Sequence, residues 1–208
     1  MTLSPIAPQS AEKRASIAVL ISGSGTTLVN LAGQAAAGIL PVNIAGVISS
    51  RPTVAGVQRA RQLGLPVEIV ERRNFADSVA FSDRLLTVLS RWSPDLVCMA
   101  GFLCFWNIPS QFAGRVVNIH PSLLPKFGGQ GMHGLKVHEA VLKAGEKISG
   151  CTVHLADNVY DHGPVLLQRT CPVLPHDSPQ SLAARVFAEE CIAYPQAIRQ
   201  LLVERGLI

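Results

Sequence analysis

Apolar residues in the first hundred positions fall into short continuous runs, and the stretches between them carry helical spacing. Ile17–Ile21 and Leu96–Ala100 are apolar throughout, and Val42–Ile48 and Val67–Val70 are rich in β-branched residues. All four have strand length. Leu28–Ala37 is Ala/Leu-rich and stops at Gly38, and Val54–Leu63 stops at Gly64. Phe75–Trp92 places Phe81, Leu85, Leu86 and Leu89 on one helical face. Strands alternating with helices predict parallel βαβ units, and a strand without polar alternation belongs to a sheet covered on both faces.

Past Gly101 the rhythm changes. Val116–Ile119 reads as a short strand, followed by a glycine-rich loop from Phe127 to Gly134 and a helix over Leu135–Ala144. Ser149–Leu155 and Val165–Val173 read as an antiparallel pair. Ser178 is placed to cap a last helix with Pro179 at its first position, running to Val203. Pro195 is expected to kink or split it. The fold class expected is α/β: a Rossmann-like open, mostly parallel sheet with helices on both faces and an antiparallel C-terminal portion. At ~150 residues per domain, the length predicts one domain over 16–208, after a flexible polar tail over 1–15.

Composition narrows the function. The chain is 48% hydrophobic and 15% charged, the wrong balance for disorder. No apolar run nears the ~18 residues of a membrane helix, so no membrane partner is expected. Net charge is +4, but no basic run exceeds two residues and aromatics are 5%, so nucleic acid is not expected. Five cysteines without a CxxC pair fit buried thiols in a reducing, cytoplasmic setting. The histidines have no helical pair at metal spacing, so no metal is expected.

Three segments carry chemistry. Gly23-Ser24-Gly25-Thr26-Thr27 follows a strand and precedes a helix, where free amides and the helix dipole suit a phosphate. It equally suits a tight turn with a cap. It lacks the third glycine of a dinucleotide fingerprint and the lysine of a P-loop. The second segment is Asn118-Ile119-His120-Pro121-Ser122-Leu123-Leu124-Pro125, at the end of a strand. Period-two alternation puts Asn118 and His120 on one side, an amide donor beside an imidazole. The third is Gly150-Cys151-Thr152-Val153-His154 with Tyr160-Asp161-His162-Gly163-Pro164. A carboxylate such as Asp161 beside His120 would raise the imidazole pKa and fix its tautomer. Each segment also has a plain reading as a capped strand end or a turn.

Taken together and in this order, these segments resemble the formyltransferase family that uses 10-formyltetrahydrofolate. The likeness also includes Ala100-Gly101-Phe102 and Glu189-Glu190 before Tyr194-Pro195, and runs from Ile17 to Leu202. The resemblance implies a one-carbon transferase of purine (IMP) biosynthesis with 10-formyltetrahydrofolate as co-substrate. The acceptor would be the amine of phosphoribosylglycinamide. It implies Asn118 and His120 at the oxyanion, with Asp161 keeping His120 cationic and His154 behind them. It places the substrate phosphate on Gly25, Thr26 and Thr27, and the ribonucleotide on Glu190. Folate would lie against Leu103, Cys104, Phe105, Trp106, Asn118, Asp157, Asn158, Val159, Tyr160 and Asp161. The alternatives kept open are another amine acceptor and a non-catalytic binding module; the assembly expected is a monomer or homodimer. Five departures stand out: Thr26-Thr27 in the phosphate turn, Cys104 in place of an arginine, a shortened connector from Ala100 to Asn118, a long glycine loop at 126–134 that could close as a lid, and Arg72 or Arg73 as substitutes for the arginine that holds the folate tail in some members.

Overall fold

The protein is described over residues 13–208 of a computed structural model. Residues 1–12 of the expected tail lie outside the described residues. Strand β1 is Ala15–Ile21, opening two residues earlier than its apolar run suggests. Its side chains alternate strictly. Ala15, Ile17, Val19 and Ile21 enter one core cluster, and Ala18 and Leu20 enter the other. That alternation is why a strand with no polar face belongs at the centre of a covered sheet.

The remaining elements follow in chain order: α1 (Thr26–Ala36), β2 (Val42–Ser49), α2 (Ala55–Gln62), β3 (Val67–Ile69), α3 (Ser78–Trp92) and β4 (Leu96–Met99). Then come β5 (Val116–His120), α4 (Leu135–Lys143), β6 (Ile148–Leu155), β7 (Val165–Pro172) and α5 (Pro179–Glu204). The seven strands form one sheet in the order β3-β2-β1-β4-β5-β6-β7. β1 to β5 run parallel, and β6 and β7 are antiparallel, as the sequence suggests. α1, α4 and α5 bury Leu28, Leu31, Val141, Val186 and Ile198 on one face. α3 buries Phe81, Leu85, Val88 and Leu89 on the other, with Trp106 and Phe112 from the long β4–β5 connection.

α3 begins at Ser78 because the Asp77 side chain accepts the Ala80 N–H at 2.8 Å and caps it. α5 opens at the expected cap: Ser178 and Ser181 exchange hydrogen bonds of 3.1 and 2.9 Å. α5 is not split at Pro195, which sits buried inside a continuous 26-residue helix. Tyr194 beside it points its hydroxyl at the carbonyls of Met99 and Val117, 2.9 Å from each, and so ties α5 to the adjacent strands β4 and β5. No helix among the described residues is long and apolar enough to cross a membrane.

The strand order reverses beside β1: the chain leaves β1 for β2 and β3, then returns to β4 on the other side. In open α/β sheets, this switch point opens a crevice beyond the carboxyl ends of the strands. The three chemistry-bearing segments meet there.

Candidate active site

The β1–α1 turn forms the first wall. Gly25 is the helix cap, in the left-handed region at φ 73°. The first helical bond runs from the Val29 N–H to the Gly25 carbonyl at 3.0 Å. The amides of Thr26, Thr27 and Leu28 therefore have no helical acceptor. Thr26 and Thr27 form the first turn itself, so the helix starts two residues before the Leu28 that the apolar pattern suggests. The first turn carries no acidic residue. Arg59 from α2 donates to the Ser24 carbonyl at 2.8 Å and brings a cation to the same turn. Ser22, just before it, is buried; its Oγ lies 2.6 Å from Ser50 Oγ and accepts the Leu103 N–H at 2.9 Å. The turns after β1 and β4 are thus held together.

β5 and β6 supply the centre. Their antiparallel register sets Asn118 opposite His154 and His120 opposite Thr152. Asn118 Nδ2 donates to His154 Nε2 at 3.1 Å and, more weakly, to Asp161 Oδ1 at 3.4 Å. His154 Nδ1 lies 3.1 Å from the Leu155 carbonyl. That contact puts the His154 proton on Nδ1 and leaves Nε2 to accept from Asn118. His120 Nε2 lies 2.8 Å from the Phe127 carbonyl, which fixes a proton on Nε2. Its Nδ1 is left facing Asp161 Oδ2 at 3.4 Å. Asp161 Oδ2 also accepts the Gly129 N–H at 2.9 Å.

The charge states follow from these surroundings. Burial pulls the His120 pKa below the ordinary 6.5, and the opposing effects of Asp161 and the Phe127 carbonyl do not restore it. Burial thus works against the cationic His120 that the resemblance implies, and Asp161 works for it. Burial alone would raise Asp161, but the His154 and His120 imidazoles in their protonated forms and the Gly129 amide hold it below its ordinary value, so it rests ionised. Glu190 on α5 makes no hydrogen bond among the described residues, and burial raises it to about 7.

These groups line one cavity of about 470 Å³. Thr27 and Glu190 lie in its wall, as do Asn118, His120, His154 and Asp161. Leu103, Cys104, Phe105, Trp106, Asp157, Val159 and Tyr160 line it as well. Phe105 packs on Tyr160 with ring centres 5.2 Å apart. Trp106 contributes wall only: it is 2% exposed and packs on Phe112. Gly25, Thr26 and Asn158 are not in the wall. The Asn158 side chain is spent on the backbone, accepting from Ile108 N at 2.7 Å and donating to Ile108 O at 3.3 Å. Arg72 donates to the Phe75 carbonyl and Arg73 pairs with Glu71, and neither reaches the cavity. The sequence reading missed Met99, Phe102, Ile108, Gln130 and Met132 in the wall. The glycine loop was the one signal for the last two. Its root is bonded to the centre through Phe127 and Gly129.

The family model described as formyl transferase matches residues 15–198. A trifunctional purine biosynthetic protein adenosine-3 of Drosophila melanogaster is 39% identical over 202 residues, 95% of this chain but 14% of its own length. A phosphoribosylglycinamide formyltransferase of Haemophilus influenzae is 35% identical over 185 residues, covering 88% of this chain and 85% of that one. The crystal structure of glycinamide ribonucleotide transformylase 1 from Symbiobacterium toebii superimposes with a TM-score of 0.86 at 38% identity. It covers 94% of this chain and 90% of that one.

Proposed function

The chain belongs to the formyl transferase family, and from that premise we propose that it moves a formyl group from 10-formyltetrahydrofolate to the amine of phosphoribosylglycinamide, a step of purine biosynthesis. One observation carries the reading. A single cavity is lined by Thr27 of the first turn of α1 with Glu190, by the apolar Leu103–Phe105 segment, and by Asn118, His120 and Asp161. A phosphorylated amine suits the first of these groups. A flat heteroaromatic ring suits the second, where Met99, Phe102, Leu103, Phe105, Val159 and Tyr160 supply apolar and aromatic surface.

The chemistry follows from the resting charges. The amine attacks the formyl carbon, a C–N bond forms, and the carbonyl oxygen becomes an oxyanion. The Asn118 Nδ2 hydrogen now given weakly to Asp161 Oδ1 is the one that can turn to that oxygen. His120 Nδ1, the ring nitrogen without a fixed proton, lies beside Asp161 Oδ2 and accepts the amine proton. The imidazolium so formed lies against ionised Asp161. The same proton then goes to the departing folate nitrogen as its bond to the formyl carbon breaks. No covalent enzyme intermediate is required. A reducing, cytoplasmic setting fits the five free cysteines.

The test is a spectrophotometric assay of the purified protein with a 10-formyl folate and glycinamide ribonucleotide. Folate release that requires the ribonucleotide and vanishes in His120→Ala is the expected result. Release without any acceptor would instead mark a deformylase. No release, with both ligands still raising Tm, would move the reading to another amine.

A further inference from the structure

The helix that starts the phosphate turn and the helix that carries Glu190 are tied together by one side chain. Pro195 has no N–H, so the carbonyl of Cys191, four residues earlier in α5, has no helical donor. Asn30 of α1 supplies one: its Nδ2 donates to the Cys191 carbonyl at 2.9 Å. Asn30 lies three residues after Thr27, on the same face of α1. Cys191 directly follows Glu190, and Thr27 and Glu190 face one cavity.

We propose that Asn30 is a positioning residue for the phosphorylated substrate: its bond to the carbonyl that Pro195 leaves free sets the separation between the amide end of α1 and the Glu190 carboxyl. The inference rests on the reading above, in which one ligand spans those two groups. Among the described residues no other side-chain hydrogen bond joins α1 to α5, and Leu28 and Leu31 of α1 share one hydrophobic cluster with Ala193 and Ala197 of α5. Apolar contact is non-directional and tolerates sliding, whereas a hydrogen bond fixes distance and angle. A ligand held at both ends registers a slide as lost affinity. The folate wall, built from the β4–β5 connection and the 156–161 segment, does not register it.

The experiment compares Asn30→Ala, the isosteric but donor-poor Asn30→Asp, Pro195→Ala, and the Asn30→Ala/Pro195→Ala double variant. Alanine at 195 brings an N–H that serves the Cys191 carbonyl within the helix, so it satisfies that carbonyl without rebuilding the tie. Each variant is measured for Tm, kcat and a separate KM for ribonucleotide and for folate. Both Asn30 variants should raise the ribonucleotide KM about fivefold to tenfold, the size of one hydrogen bond. Folate KM and kcat should stay within about twofold of the parent. The double variant should regain Tm and keep the raised ribonucleotide KM. If Asn30→Ala is too unstable to assay, the double variant against Pro195→Ala makes the same comparison. The proposal is overturned by an unchanged ribonucleotide KM, by equal loss for both substrates, or by a double variant that regains KM along with Tm. The last result would make Asn30 a partner for a stranded carbonyl and nothing more. A parent protein that neither binds nor formylates the ribonucleotide would overturn the functional reading first, and this inference with it.

Discussion

Asp161 holds a backbone conformation that few side chains accept, φ 52°, and both its oxygens are engaged. Asp and Asn tolerate this region better than other non-glycine residues, so Asp161→Asn removes the charge while keeping the turn. Its kcat should fall about 100-fold or more, the range of a lost acid–base partner, with both KM values within about threefold. A loss under about tenfold would remove Asp161 from the proton path. The same variant reads the His120 charge. Burial already lowers the His120 pKa and Asp161 opposes it, so NMR titration should find His120 below 6.5 in the parent and lower still in Asp161→Asn. A rise would mean that the two do not face each other in solution. The shared side of Asn118 and His120 was readable from period-two spacing. The approach of Asp161 was not, because it depends on a left-handed turn forty-one residues further on. Asn158 was unreadable for a different reason: its amide serves Ile108, a partner that appears only once the β4–β5 connection folds back.

At the level of elements, the β1–α1 turn works because α2 lies almost on top of it. A Cβ on Gly25 would stand 2.6 Å from the Gly56 Cα, and one on Gly56 would stand 2.7 Å from the Gly23 carbonyl. The Gly56 N–H also donates to that carbonyl at 3.1 Å. Gly56 has no positive φ to complicate the reading, so Gly56→Ala is a steric push on the turn and on the Ile21 side chain, whose Cδ1 the new Cβ would meet at 2.7 Å. It should destabilise the fold by about 1–3 kcal/mol. It should also weaken the Tm rise given by a ribose phosphate while leaving the rise given by a folate intact. Equal loss of both rises would mean that the turn is not a separate subsite. The elements themselves were largely written in the chain, because continuous apolar runs and glycine stops report local geometry. Pro195 shows the limit. As a helix breaker it was plain, but the group that lets the helix pass through it, Asn30, lies 161 residues before the Cys191 carbonyl it serves and declares nothing in its own neighbourhood. The start of α1 was misplaced for a related reason: its first turn is polar, with Thr27 on the cavity and Thr26 exposed, and an apolar pattern detects only the buried face.

Across the whole molecule, the buried and half-buried ionisable groups of the site pull stability in opposite directions with pH. Asp161 has a depressed folded pKa, so its contribution is present above its ordinary 3.8 and is lost as acid protonates it. His120 is likewise depressed, so its contribution is present above 6.5 and is lost as pH falls through its folded value. Glu190 has the reverse sign. Its folded pKa, about 7, lies above the ordinary 4.5, so folding favours the protonated form. Its contribution is fully present below 4.5 and is lost as pH rises through 7. A carboxylate sunk beside the cavity with no donor is costly to the apo fold, and a hydroxyl-bearing ligand would supply the missing donors. Glu190→Gln removes the ionisation and leaves the shape. Unfolding free energies from urea titrations should match in parent and variant near pH 4.5. By pH 8 the variant should be the more stable by on the order of 2 kcal/mol. The divergence should shrink when saturating ribonucleotide is added to the parent, because the bound ligand gives the ionised Glu190 its partners. A difference that stays flat from pH 4.5 to 8 would mean that Glu190 is solvated in solution, and the reading of it as a ligand-facing group set in place before binding would fall.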